Sequence, residues 1–225
     1  MPQSALPDTE ALPRRLLQTA HRSVRPTGSQ ITWHCWGQGS AVFLVHDRDS
    51  DWTAWGANIA HLATRFQVWV AELPPAECSL VQDANACSTA LRADLQSLNP
   101  DQPCSLVAHG WSALPAGLLA PTLASLSSLV LLGAGRHGSS RSPAAPSPAQ
   151  VASALLPPWE RLRTPVLMVW GEALGQPSPA DAAIALAASR PEREWLLLPC
   201  VREPLPQTCA DEINVVLSHW LLSHA

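Results

Sequence analysis

Short, unbroken apolar runs recur along this chain: AVFLVH (41–46), QVWVAEL (67–73), CSLVAHG (104–110), SLVLLGAG (128–135), PVLMVWGE (165–172) and EWLLLP (194–199). Runs of that length without polar alternation suit strands buried on both faces. Between them stand segments with apolar residues at helical spacing: WGANIAHLATRF (55–66), CSTALRADLQSL (87–98), a stretch near 113–123, and PADAAIALAASR (179–190). DEINVVLSHWLLS (211–223) closes the chain as a helix. Strand and helix in alternation imply a mostly parallel sheet with helices on both faces, an α/β architecture. QITWHCW (30–36) and the GQG turn (37–39) precede the first of these runs.

At 225 residues the chain can bury one sizeable core, so a single domain is expected over 25–225. Residues 1–24 are polar, proline-marked and weakly periodic, which reads as a flexible tail, and the Pro/Ser-rich stretch 136–158 reads as a flexible connection. A net charge of −4 with scattered arginines gives no electrostatic reason to expect nucleic acid or an anionic membrane as partner. No apolar run approaches the roughly 20 residues needed to span a bilayer, and no signal-like N-terminus is evident. A soluble protein of the cytoplasm is expected. Lysine is absent, which excludes Schiff-base chemistry, pyridoxal-phosphate attachment and a GKS/GKT phosphate loop.

The six cysteines are widely spaced, without a CxxC pair, and read as mostly buried free thiols. Neither a metal nor an organic cofactor is expected. GAGRHG (133–138) has the GxGxxG form, but SSRSPAAPSP follows where a helix should begin and no acidic residue stands about 20 positions on. A strand exit is the plainer reading. The ten tryptophans mostly sit inside apolar strands and helices, which assigns them to core packing.

From Ile31 onward the strings occur in the order of the α/β-hydrolase family, which the chain resembles. ITWHCWGQGSAVFLVHD resembles the opening hairpin and the third strand that ends in His-Gly, here His46 and Asp47. FQVWVAELPP resembles the strand ending in Asp-Leu-Pro-Gly, and CSLVAHGWSALPAGLLA is similar to the strand, sharp turn and helix that usually read LVGHSxGGxxA. PVLMVWGEALGQPSP is similar to the strand before the catalytic acid, and the segment 196–221 to the one that carries the catalytic histidine. The resemblance implies an α/β-hydrolase fold, here with a minimal or absent cap over residues 136–158.

The same resemblance places three other residues where a Ser-Asp-His triad is expected. The GxSxG elbow reads Ala108, His109, Gly110, Trp111, Ser112, so Gly110 stands at the nucleophile. Leu174 stands at the acid, and Glu203 at the histidine; a carboxylate whose ordinary pKa is near 4.3 is a poor base for a hydroxyl. His219 falls in the last helix. A register shifted by two residues would make Ser112 the nucleophile, with His46 or His109 recruited as base. His46, Asp47, His109 and Trp111 are expected to line the remodelled pocket, Trp111 filling or roofing it. The expectation is a non-catalytic homologue that binds a small apolar ligand or a protein partner. A divergent serine hydrolase of esters or thioesters through Ser112 is the alternative. Oligomeric state is not encoded visibly.

Overall fold

The computed structural model describes residues 15, 16, 18, 19, 21–100, 102–134, 159, 162–171, 193–199 and 204–224. The expected connection 136–158, the expected helix 179–190, Leu174 and Glu203 lie outside the described residues, apart from Trp159 just beyond that connection.

The apolar runs form strands where expected. β1 is His21–Val24, β2 Thr32–Trp36, β3 Ala41–Val45, β4 Gln67–Glu72, β5 Cys104–His109, β6 Leu126–Leu132, β7 Val166–Gly171 and β8 Arg193–Leu198. They make one eight-stranded sheet in the order β1-β2-β4-β3-β5-β6-β7-β8. β1 and β2 pair antiparallel, as do β2 and β4; every pairing from β4 through β3 to β8 is parallel. Among the described residues the α-helices are α1 Gly56–Leu62, α2 Ala84–Leu98, α3 Ala113–Leu119, α4 Leu205–Thr208 and α5 Ala210–His224.

Alternate residues of each strand feed two cores. Phe43, Leu106 and Ala108 join Leu91 and Leu95 of α2 and Ala116 of α3 on one face. Val42, Leu44 and Val107 join Ile59 of α1 and Ile213 and Leu217 of α5 on the other. This is why the runs of β3 to β7 lack polar alternation, since a strand sandwiched between helix layers has no solvent face; β8, expected with them to be buried on both faces, is an edge strand with Glu194, Trp195 and Leu197 exposed. Nine of the ten tryptophans are buried, and Trp195 on the edge strand β8 is 43% exposed.

Helix starts follow local chemistry. Asp83, in an extended conformation, accepts from the N–H groups of Asn85 and Ala86 and caps α2. Asp51 does the same for the 3-10 turn Trp52–Trp55 through Thr53. Gly37, in the turn between β2 and β3, has φ +71, and a β-carbon there would strike the Phe66 carbonyl oxygen, so only glycine fits.

Two expectations are corrected. The boundary of the N-terminal tail falls too late, because His21–Val24 is the edge strand β1, held by backbone pairing to β2 and by the Arg22 guanidinium 4.9 Å from the Trp69 ring centroid. Leu16 is buried as well, and its carbonyl accepts from Trp36 Nε1 at 3.0 Å. Cys209 is disulfide-bonded, and Cys78 is only half-buried; Cys35, Cys87 and Cys104 are buried free thiols as expected.

Candidate functional site

β3 has β4 on one side and β5 on the other. The crossover from β3 to β4 runs through α1 on one face, and the return to β5 through α2 on the opposite face. The loops leaving β3 and β5 therefore diverge and open a crevice at the carboxyl ends of the strands, the usual ligand position in open α/β sheets. His46 and Asp47 leave β3 into it; His109 ends β5 and Gly110 follows.

Gly110 carries the sharp turn. Its φ is +60, whereas His109 before it is extended and Ser112 after it is right-handed helical at φ −64. The left-handed residue at the strand-to-helix turn is therefore Gly110, and Ser112 lies at the start of α3. Pro115 sits within the first turn of that helix, where a missing N–H is tolerated.

The space above Gly110 is filled from the other loop. A β-carbon built on Gly110 would lie 2.5 Å from both Cγ and Oδ2 of Asp47 and 2.9 Å from Oδ1. The Asp47 carboxylate is buried, and its Oδ1 accepts from the Trp111 backbone N–H at 3.0 Å. In an acyl-transfer elbow, the amide following the turn residue is the group that would face a developing oxyanion. Here it is bonded to a carboxylate of the same chain.

Ser112 is fully buried, and its hydroxyl donates to the His46 carbonyl oxygen at 2.5 Å. His46 is committed as well. Its Nε2 accepts from the Leu73 N–H at 3.1 Å, so the proton sits on Nδ1, which donates to the Asp47 carbonyl at 2.7 Å. The ring thus ties the ends of β3 and β4 together. Burial holds its pKa below the ordinary 6.5, against the opposing pull of the Asp47 backbone bond and the Asp51 and Asp47 carboxylates. A neutral imidazole whose one lone pair is already used cannot accept the Ser112 proton.

His109 is buried and meets Trp55 edge-on, with ring centroids 6.4 Å apart. Trp111 is buried too, 4% exposed, under the Arg48 guanidinium 5.8 Å from its ring centroid. It joins the hydrophobic cluster that holds Ala108, Ala113 and Ala116.

The structure therefore brings Gly110, Trp111 and Ser112 against His46 and Asp47, with His109 beside them. Among the described residues this site presents no hydroxyl paired with an imidazole base. No group of three or more His, Cys, Asp or Glu side chains suited to a metal occurs among the described residues, and no described helix is long and apolar enough to cross a membrane. What sequence reasoning missed is the direct engagement of Asp47 with the elbow. The signal was present as a pair: a side chain where the resemblance calls for glycine, and a glycine where it calls for a side chain.

No family model and no curated protein matches the sequence. Solved structures do. Naproxen esterase (carboxylesterase NP) from Bacillus subtilis superposes with a TM-score of 0.70 at 12% identity, over 98% of this chain and 100% of that one. A loop variant of a haloalkane dehalogenase from Bradyrhizobium elkanii gives 0.70 at 14% identity, over 91% and 96%. An epoxide hydrolase from Vigna radiata gives 0.67 at 14% identity, over 90% and 97%. The chain has the α/β-hydrolase fold. At such identities the likeness carries the fold alone, and the named activities remain those of the neighbours.

Proposed function

We propose that this protein is a non-catalytic α/β-hydrolase-fold protein, acting by binding a small apolar ligand or a protein partner at the remodelled crevice. One observation carries the reading: the position above the elbow glycine, where a nucleophile side chain would stand, is taken by the buried Asp47 carboxylate. Nucleophile, base and orienting acid act as a unit, and an elbow without its nucleophile retains little of the catalytic advantage. The rival reading, hydrolysis of esters or thioesters through Ser112, needs a free hydroxyl and a base. Ser112 is bound to a backbone carbonyl, and of its two candidate bases, His46 and His109, the first has both nitrogens engaged.

Incubation of the folded protein with a fluorophosphonate probe tests the proposal, alongside hydrolysis of short p-nitrophenyl esters. No labelling and no turnover above the denatured-protein control are expected. Labelling or turnover abolished by Ser112→Ala would establish the rival reading instead.

A further inference from the structure

Of the six cysteines of the chain, Cys35, Cys78, Cys87 and Cys104 are free thiols, whereas Cys209 is disulfide-bonded. The one cysteine left to be its partner is Cys200, which lies outside the described residues. The bond then joins the chain just past β8, which ends at Leu198, to the residue between α4 and α5. What it encloses is α4, a single turn of four residues, far too short to persist by itself. Leu205 at the start of α4 and Cys209 just after it are buried in one cluster with Trp52, Trp55 and Ile59. α4 packs on α1 and on the 3-10 turn Trp52–Trp55, and Trp55 meets His109 edge-on at the crevice. Four unpaired thiols beside a single bridge are unlike a chain that relies on disulfides for its fold; a bridge in such company is characteristically a reversible one.

We infer that Cys200 and Cys209 form a thiol–disulfide switch, opened by a low-molecular-weight thiol such as glutathione, that sets how firmly α4 is held against the turn behind the crevice. Two molecules of the thiol act in turn. The first attacks one sulfur of the bridge and forms a mixed disulfide, and the second resolves it. The S–S bond of the protein is thereby reduced, Cys200 and Cys209 each end with a proton, and the thiol leaves as its own disulfide. The inference is independent of whether the elbow is catalytic.

Peptide mapping tests the pairing. Trypsin cuts after Arg193 and Arg202, so residues 194–202 and 203–225 should emerge as one joined species before reduction and as two after it. Thermal unfolding and hydrogen exchange test the switch. In about 10 mM reduced glutathione the folded protein should open its bridge and melt about 5–10 °C lower, the shift expected when a loop of this size is set free. Cys200→Ser should melt at the lowered value and ignore glutathione. In both, exchange should quicken over residues 52–59 and 204–209 and stay unchanged in β3, β5 and β6. Peptides that separate without reductant overturn the pairing. A bridge that survives glutathione in the folded protein, or exchange that quickens equally across the sheet, overturns the switch. If Cys200→Ser does not fold, the wild-type chain in glutathione supplies the same comparison. If neither stays folded with the bridge open, the bond is a fixed part of the fold and the inference falls.

Discussion

Replacing Gly110 by alanine adds one carbon at the most crowded point of the crevice, and its cost has two separable parts. A β-carbon at φ +60 costs about 1–2 kcal/mol of backbone strain whatever surrounds it. That carbon also falls 2.5 Å from Asp47 Cγ and Oδ2, far inside van der Waals contact, so the carboxylate must move. Moving it breaks the bond from Trp111 N–H and strands a buried donor and a buried acceptor, a further loss of about 1–3 kcal/mol. Gly110→Ala should therefore lose about 2–5 kcal/mol in urea denaturation. In an Asp47→Gly background only the backbone strain remains, because the clashing group is gone. The two substitutions should thus be less damaging together than the sum of each alone, with a coupling of about 1–3 kcal/mol. The assay is urea unfolding of the four proteins of the cycle, followed by tryptophan fluorescence. Costs that add within about 0.5 kcal/mol, or a neutral Gly110→Ala, would refute the interlock between these residues.

Other consequences are simpler to check. Ser112→Ala should destabilise by about 1–3 kcal/mol, since the buried His46 carbonyl loses its hydroxyl donor, and urea midpoints report it; a neutral result would mean that the bond is worth nothing. The His46 pKa is depressed in the folded state, so the unfolded chain takes the proton first as pH falls. Its contribution to stability is complete above about pH 6.5 and is lost below it, and His46→Gln should flatten the decline in urea midpoint between about pH 6.5 and 5. Among the free cysteines of the described residues, burial raises the Cys35 thiol and pushes Cys87 to about 12 and Cys104 to about 11, leaving half-buried Cys78 as the one of these four that reacts quickly with a disulfide reagent at mild alkaline pH. Cys78→Ser should remove that fast phase.

Most of the sheet was legible in the sequence because its strands are buried on both faces, and a run such as AVFLV has no other stable use. The strand β1 was not. HRSV is short and charged, as edge strands tend to be, and nothing in its pattern separates it from a tail. The residues of the crevice were legible as a set, since His46, Asp47, His109, Trp111 and Ser112 flank the two strand ends at the reversal of strand order. Their pairings were not, because a pattern read along the chain does not say which way a side chain turns across 64 residues from Asp47 to Trp111. The same holds for the buried pair Asn58 and Asn214, 156 residues apart, which joins α1 to α5 at 2.8 Å. It holds too for Asp94, whose carboxylate accepts from Trp33 Nε1 and Ser29 Oγ beneath the sheet.

The interlock of positions 47 and 110 also limits how such a chain can change one residue at a time. Two pairings fill the crevice once: a side chain at 47 with glycine at 110, as here, or glycine at 47 with a side chain at 110. The route that installs the second side chain before removing the first crosses a state in which two groups claim one volume. The other route crosses glycine at both positions, leaving a small hole and an amide without its carboxylate partner. A hole can shrink by relaxation or admit water, whereas overlap pushes the buried Asp47 carboxylate out of its place. Of the two single-step paths between an elbow that bears a side chain and this one, the one through the doubly vacant form therefore adds no backbone strain and no overlap.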